Sequence, residues 1–151
     1  MLTISACDPL EPDALVLVAE LSAALAAITG ASGKSSFAVG DARLARSLFV
    51  VARGADGALL GCGALRPLEG DVAEIKRMYA RPGTRGVGAA LLAHLEAAAE
   101  GFGYAQAWLE TRRVNTRAVA FYRQHGYADI PNYGKYAGRT DALCLGKRVS
   151  A

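Results

Sequence analysis

Apolar residues along this chain recur at two spacings, and each change of spacing marks the edge of an element. Leu2 to Ser5 alternates like a short strand. From Pro12 and Asp13 to about Ile28, the residues Leu15, Val18, Leu21, Leu25 and Ile28 recur at helical spacing, and Gly30 is placed to stop that helix. Ala31 to Gly40 carries no period and reads as a loop or a short helix. Ser47 to Arg53 and Ala58 to Arg66 are strand-like runs joined around Asp56-Gly57, a strong hairpin signal. A turn at Glu69-Gly70-Asp71 leads into a third run, Val72 to Arg81. Pro82 to Gly86 is a glycine-rich loop. It opens a helix from Val87 to about Ala99, with Leu91, Leu92 and Leu95 on the inner face. Gly101 and Gly103 prepare the turn into a strand from Tyr104 to Thr111. Asn115 is a good N-cap for a helix reaching His125, with Gly126 as its stop. Tyr127 to Ile130 and Asp141 to Arg148 read as closing strands around a polar loop, Tyr133 to Arg139. The order β-α-β-β-β-α-β-α-β-β predicts an α/β sheet with both kinds of strand pairing.

Composition narrows the class. A chain of 151 residues, 52% hydrophobic and 21% charged, is expected to form one compact domain and is too apolar to be disordered. No membrane span is expected: the longest apolar stretch, Ala14 to Ile28, is interrupted by Glu20 and Ser22 and falls short of the ~20 residues a bilayer needs. Cys7, Cys62 and Cys144 have no metal or redox spacing and read as reduced, buried thiols. With no basic residue before Lys34 to begin a signal peptide, the expected location is the cytoplasm. The net charge of +3 hides an uneven distribution: residues 1–33 carry −4 and the remainder +7. Arginine outnumbers lysine 13 to 4, and Arg suits planar recognition of phosphate or carboxylate. No basic run is interleaved with aromatics, so nucleic acid is not an expected partner.

Two segments carry chemistry. The run from Val72 should be apolar if sheet and helices enclose it, yet it holds Glu74, Lys76 and Arg77. Burying such charges unpaired costs several kcal/mol, so they are expected to face a cleft or pair with each other. Directly afterwards come Gly83-Thr84-Arg85-Gly86-Val87-Gly88 and a helix, a combination that can cradle a pyrophosphate on backbone N–H groups. It is not a dinucleotide fingerprint, because Leu91 stands where the third glycine is required. Nor is Gly33-Lys34-Ser35 the end of a P-loop, because Ile28 stands where its first glycine belongs. In the second segment, Asn115, Ala118 and Tyr122 fall along one face of the predicted helix. Tyr122 keeps a hydroxyl that can donate a proton, which Phe121 cannot do.

At these residues the chain resembles the GCN5-related N-acetyltransferase (GNAT) superfamily. Gly86 and Gly88 match the family's pyrophosphate loop, [R/Q]-x-x-G-x-[G/A], although Gly83 replaces the first Arg or Gln. Asn115 to Tyr122, followed by Gly126-Tyr127, is similar to its N-x-x-A-x-x-F-Y-x-x-x-G-[F/Y] signature. The resemblance implies a mixed, mostly antiparallel sheet of about six or seven strands, with a splayed parallel pair at an acetyl-CoA cleft. It implies acetyl-CoA as cosubstrate, no metal, an amine acceptor on a small molecule or peptide, and a homodimer. Met78, Tyr79 and Ala80 would lie along the pantetheine arm. Arg85, Gly86, Val87, Gly88 and Ala89 would form the pyrophosphate cradle, with Asn115 and Tyr122 completing the cofactor site.

Physical need then assigns roles. An alkyl amine with a pKa near ~10 arrives protonated and must lose a proton before it attacks a thioester. Glu74, on the strand lining the cleft, is the preferred base, and Glu110, ending the neighbouring strand, is the second candidate. Each can instead neutralise Arg77, Arg112 or Arg113. The oxyanion would be met by a strand N–H, which the resemblance places near Met78. Tyr122 would protonate the leaving thiolate, as the resemblance implies. His94 and His125 are expected to face solvent or cap helices, and Tyr133, Lys135 and Tyr136 to lie on a loop able to cover the acceptor. The competing readings are an acyl-CoA-binding module without turnover and an unrelated nucleotide-binding α/β protein.

Overall fold

The computed structural model describes residues 2–31, 40–41 and 44–150, so the Gly33-Lys34-Ser35 stretch and most of the Ala31–Gly40 segment lie outside the described residues. The elements are β1 (Thr3–Ala6), α1 (Pro12–Thr29), β2 (Leu48–Arg53), β3 (Leu59–Glu69), β4 (Val72–Ala80), α2 (Val87–Gly101), β5 (Gln106–Arg112), α3 (Thr116–Gln124), β6 (Ala128–Ile130) and β7 (Ala142–Arg148). A short 3-10 turn, Gly134–Tyr136, interrupts the polar loop before β7. The strands form one seven-stranded sheet in the order β1-β2-β3-β4-β5-β7-β6. Every neighbouring pair is antiparallel except β4 and β5.

Strand alternation divides the core between the two faces of the sheet. Val50 and Ala52 of β2 pack with Leu91, Leu92 and Leu95 of α2, whereas Phe49 and Val51 pack with Ala14 and Leu17 of α1. The approach of α2 requires glycine on β3. A Cβ on Gly61 would stand 2.3 Å from the Tyr79 carbonyl oxygen, and one on Gly63 would stand 2.9 Å from both Leu95 Cδ1 and Met78 Sδ. The hairpin at Asp56-Gly57 forms as expected, with Gly57 at φ 83° and the Gly54 N–H donating to Ala58 O.

Two expectations need correction. The buried residues of α1 are Ala14, Leu17, Leu21 and Ser22, while Leu15 and Ile28 are about half exposed. The helix is therefore rotated from the face that periodicity alone suggested, because α1 is apolar nearly all round and many faces look alike in sequence. By length and composition α1 could cross a membrane, but it lies on the sheet, and its Glu20 is bonded to Arg81 and Tyr79. Of the three free thiols, Cys62 and Cys144 are buried, whereas Cys7 is only partly so.

Candidate active site

The site begins where two strands part. β4 and β5 pair only at Val72–Gln106, Ala73–Ala107 and Glu74–Trp108. Beyond that point β4 continues along β3 and β5 along β7, so each turns an unpaired main-chain edge toward the other. A β-bulge shapes the opening. Cys62 opposes Tyr79 and Ala64 opposes Lys76, which leaves Arg77 and Met78 against Gly63 alone. Arg77 takes φ 54°, a left-handed conformation that costs a residue with a Cβ roughly 1–2 kcal/mol. The extra residue reverses the alternation of β4. Ala73 and Ile75 face α2, Met78 rejoins that side, and Tyr79 packs with the α1 cluster.

The resulting cleft, about 260 Å³, passes through the sheet. Leu21, Leu25 and Thr29 of α1 line it from one face, and Asn115, Ala118 and Tyr122 of α3 line it from the other. Lys76, Arg77 and Met78 of β4 and Leu109 to Arg112 of β5 form its sides, and Lys135, Tyr136 and Arg139 close it from the loop before β7.

The two candidate carboxylates occupy different environments. Glu74 is 1% exposed and does not line the cleft. Its Oε1 accepts from Arg66 Nε at 2.8 Å, its Oε2 accepts from the Tyr133 hydroxyl at 2.6 Å, and Lys76 Nζ lies 3.4 Å away. Both oxygens are engaged, and the hydrogen-bonded cation is Arg66 rather than Arg77, Arg112 or Arg113. Glu110 lines the cleft, bonded to Arg112. Burial raises its pKa above the ordinary carboxylate range, against the lowering pull of Arg112. Lys76, which donates to the Tyr136 hydroxyl at 2.7 Å, is shifted down by burial.

Tyr122 reaches the cleft from the opposite face. It is 9% exposed and stacks edge-on against Phe121 and Tyr127. Among the described residues no group hydrogen-bonds its hydroxyl, and burial pushes its pKa well above the usual phenol value. Asn115 caps α3 as expected, its Oδ1 accepting from the Ala118 N–H at 3.3 Å. Asn115, Ala118 and Tyr122 all line the cleft, on the one helix face that their spacing indicated.

The glycine loop leads from β4 into α2. Gly83 and Gly86 have φ of 84° and 72°, and a Cβ on either would meet nothing within 4 Å. Gly86 is the N-cap, and Ala90 N–H makes the first helical bond, to Gly86 O at 3.0 Å. The N–H groups of Val87, Gly88 and Ala89 therefore precede the helical ladder at an end with no side-chain cap. Such an end favours an anion. Val87 itself is buried in the core, Arg85 and Ala80 are exposed, and Gly88 faces the Phe121 ring. The Tyr79 hydroxyl donates to Glu20 at 3.0 Å, so only its main chain is available to a ligand.

His94 is exposed, and His125 forms the C-cap of α3, its Nδ1 2.8 Å from Phe121 O. Sequence reading missed the part of α1 in the cleft and the bulge at Arg77, for which the sequence offers no local signal. Among the described residues no group of His, Cys, Asp and Glu is arranged to hold a metal.

The single parallel pair of the seven-stranded sheet splays beside a glycine-capped helix, and the same fold recurs among acetyltransferases. The family model for the acetyltransferase (GNAT) family matches residues 25–127, and the chain belongs to that family. It is 32% identical over 137 residues to an IAA acetyltransferase of Azospirillum brasilense, covering 89% of each protein. Among solved structures it resembles a protein assigned as an acyl-CoA N-acyltransferase from Klebsiella pneumoniae, with a TM-score of 0.82, 26% identity and coverage of 99% and 98%. A GNAT acetyltransferase of Elizabethkingia anophelis, solved with acetyl-CoA bound, shares the fold at a TM-score of 0.71 and 17% identity, with 97% of each chain covered.

Proposed function

We propose that this protein transfers the acetyl group of acetyl-CoA to a primary amine of a small molecule or peptide by direct attack. The observation that carries the reading is that a partly buried carboxylate and a buried phenol line one cleft where β4 and β5 part. Glu110 comes from the α1 face and Tyr122 from the α3 face, with unpaired strand edge between them.

The residues present fit the cosubstrate. The uncapped N–H groups of Val87, Gly88 and Ala89, with the open space at Gly83 and Gly86, would hold the pyrophosphate. The free edge of Met78–Ala80 would hold the pantetheine amides, and Asn115 and Tyr122 lie beside it. Acetyl-CoA supplies an activated acyl thioester. Glu110 takes the proton of the incoming ammonium, and its raised pKa makes it a stronger base than an ordinary carboxylate. A main-chain N–H at Met78 donates to the carbonyl oxygen as negative charge develops there. Tyr122 keeps its proton at neutral pH and gives it to the departing sulfur, and the second proton shed by the nitrogen as the amide forms restores the phenol. Glu74, held between Arg66, Lys76 and Tyr133, is buried outside the cleft lining and is out of reach of a substrate proton there.

The test is calorimetric titration with acetyl-CoA, with NADH as control, followed by an amine panel read by release of free thiol. Binding of acetyl-CoA but not NADH, with thiol release on addition of an amine, is the expected result. No binding at millimolar acetyl-CoA would overturn the assignment. Binding without turnover across the panel would favour a non-catalytic acyl-CoA module.

A further inference from the structure

The cleft poses an electrostatic problem for an enzyme that acts on amines. Its lining contains Lys76, Arg77, Arg112, Lys135 and Arg139, and Glu110 is its one lining carboxylate among the described residues. Glu74 and Asp141 stand behind the lining, bonded to Lys76 and Arg139 respectively. Counting both, five cations face three carboxylates. A protonated amine with no other charge would be repelled from such a wall, and a cleft concentrates that repulsion.

The cations are also arranged. Tyr136, 2% exposed, is surrounded by three of them: Lys76 Nζ is 5.2 Å from the ring centroid, Lys135 Nζ 5.6 Å and Arg112 Cζ 5.9 Å. The loop that carries Tyr136 is built in place. Asn132 Nδ2 donates to the carbonyl oxygens of Tyr136, Arg139 and Ala142 at 3.0–3.2 Å, and Lys76 fixes the Tyr136 hydroxyl. This collar lies on the face of β5 and β7 opposite α2, since Tyr136 packs on Ala142 and Cys144 whereas Leu143 and Leu145 pack with the α2 cluster. No residue from Gly83 to Ala89 lines the cleft. The collar is therefore separate from the end of α2 that suits the CoA pyrophosphate.

We infer that the acceptor amine carries a compact anionic group, a carboxylate or a phosphate, received by the cationic collar around Tyr136. The inference rests on the acetyltransferase reading and adds the acceptor class. The anion offsets the repulsion that the ammonium would feel. Arg139 is bonded through Nε and Nη2 to Asp141 and Arg112 through Nη1 to Glu110, so the oxyanion would be met by their remaining N–H groups, and Leu21 and Leu25 leave one wall apolar for the body of the acceptor.

The experiment compares matched acceptors under saturating acetyl-CoA, with thiol release as readout. Glycine, β-alanine, γ-aminobutyrate and leucine are each set against their own carboxamide, and O-phosphoethanolamine against ethanolamine. At least one anionic member is expected to exceed its neutral partner by about tenfold in kcat/KM, and the successful pair tells carboxylate from phosphate. In the double variant Lys135→Gln/Arg139→Gln, both positions being exposed, that preference is expected to shrink toward one through a raised acceptor KM, with the KM for acetyl-CoA unaltered. Equal or better turnover of the neutral partners would overturn the inference and leave the acetyltransferase reading standing. So would a preference that survives the double variant. Failure to bind acetyl-CoA in the calorimeter would overturn both.

Discussion

Replacing Tyr122 by Phe removes one oxygen from a ring that is otherwise held by packing. The ring is buried against Phe121 and Tyr127, and its hydroxyl bonds no group among the described residues, so folding loses no protein hydrogen bond when the oxygen goes. Stability should therefore change by less than about 0.5 kcal/mol, the range of substitutions that disturb no named interaction. In a domain of this size that is within about 2 °C of the parent Tm. Catalysis should respond very differently. A positioned general acid is worth about 10²- to 10⁴-fold in rate, or about 3–5 kcal/mol of barrier. The assay pairs steady-state thiol release with a thermal melt and calorimetric binding of acetyl-CoA. The expected outcome is a kcat lowered at least about tenfold with Tm and acetyl-CoA affinity nearly unchanged. Unaltered kcat would remove Tyr122 from the chemistry. A large fall in Tm would show that its hydroxyl supports the fold through a bond absent from this account.

Glu110→Gln should lower kcat by about 10²-fold or more and abolish the acidic limb of the pH–rate profile. In the parent that limb should fall above the ordinary carboxylate range, since burial raises the Glu110 pKa and activity is lost as pH drops through it. Because the folded state holds this proton more tightly than the unfolded one, the contribution of Glu110 to stability should decline as pH rises across the same window. Glu74→Gln should behave in the opposite sense. It leaves Arg66 and Lys76 facing a neutral amide, costs about 3 kcal/mol, and lowers Tm by about 6–12 °C, while kcat moves far less than in Glu110→Gln. A Glu74→Gln enzyme with parental Tm and no turnover would return the role of base to Glu74. Gly86→Glu should weaken acetyl-CoA binding at least about tenfold, by setting a negative side chain at the positive end of α2 in a backbone conformation that disfavours a Cβ. Unchanged affinity in the calorimeter would place the phosphates elsewhere.

Much of the candidate site's geometry was legible because its parts are local. Asn115 caps its own helix through Ala118, and helical spacing alone sets Asn115, Ala118 and Tyr122 on one face. The glycine loop is equally local: a strand, two glycines with positive φ and a helix end occur within one stretch of chain. Which of Glu74 and Glu110 lines the cleft was not legible. Both follow the same rule of a charge on a strand, and they differ only in neighbours far away in sequence. Arg66 and Tyr133 bond one oxygen each of Glu74 across β3 and the loop before β7, whereas Glu110 lies beside the opening.

What the sequence determined by itself was the series of elements and the two motifs, since turn glycines, caps and apolar periods act within a few residues of chain. What only the tertiary structure decided was which faces meet. α1 turns Ala14 and Leu17 inward instead of Leu15 and Ile28, because the sheet selects one face from a helix apolar nearly all round. The bulge at Arg77 reverses the alternation of β4 and brings Met78 to the side of α2, because β3 holds β4 in register with one residue to spare. The cleft exists because β4 and β5 stop pairing after Glu74 and Trp108. Main-chain groups that elsewhere in the sheet bond a neighbouring strand have no strand partner across that gap, and that depends on how two distant segments diverge in space.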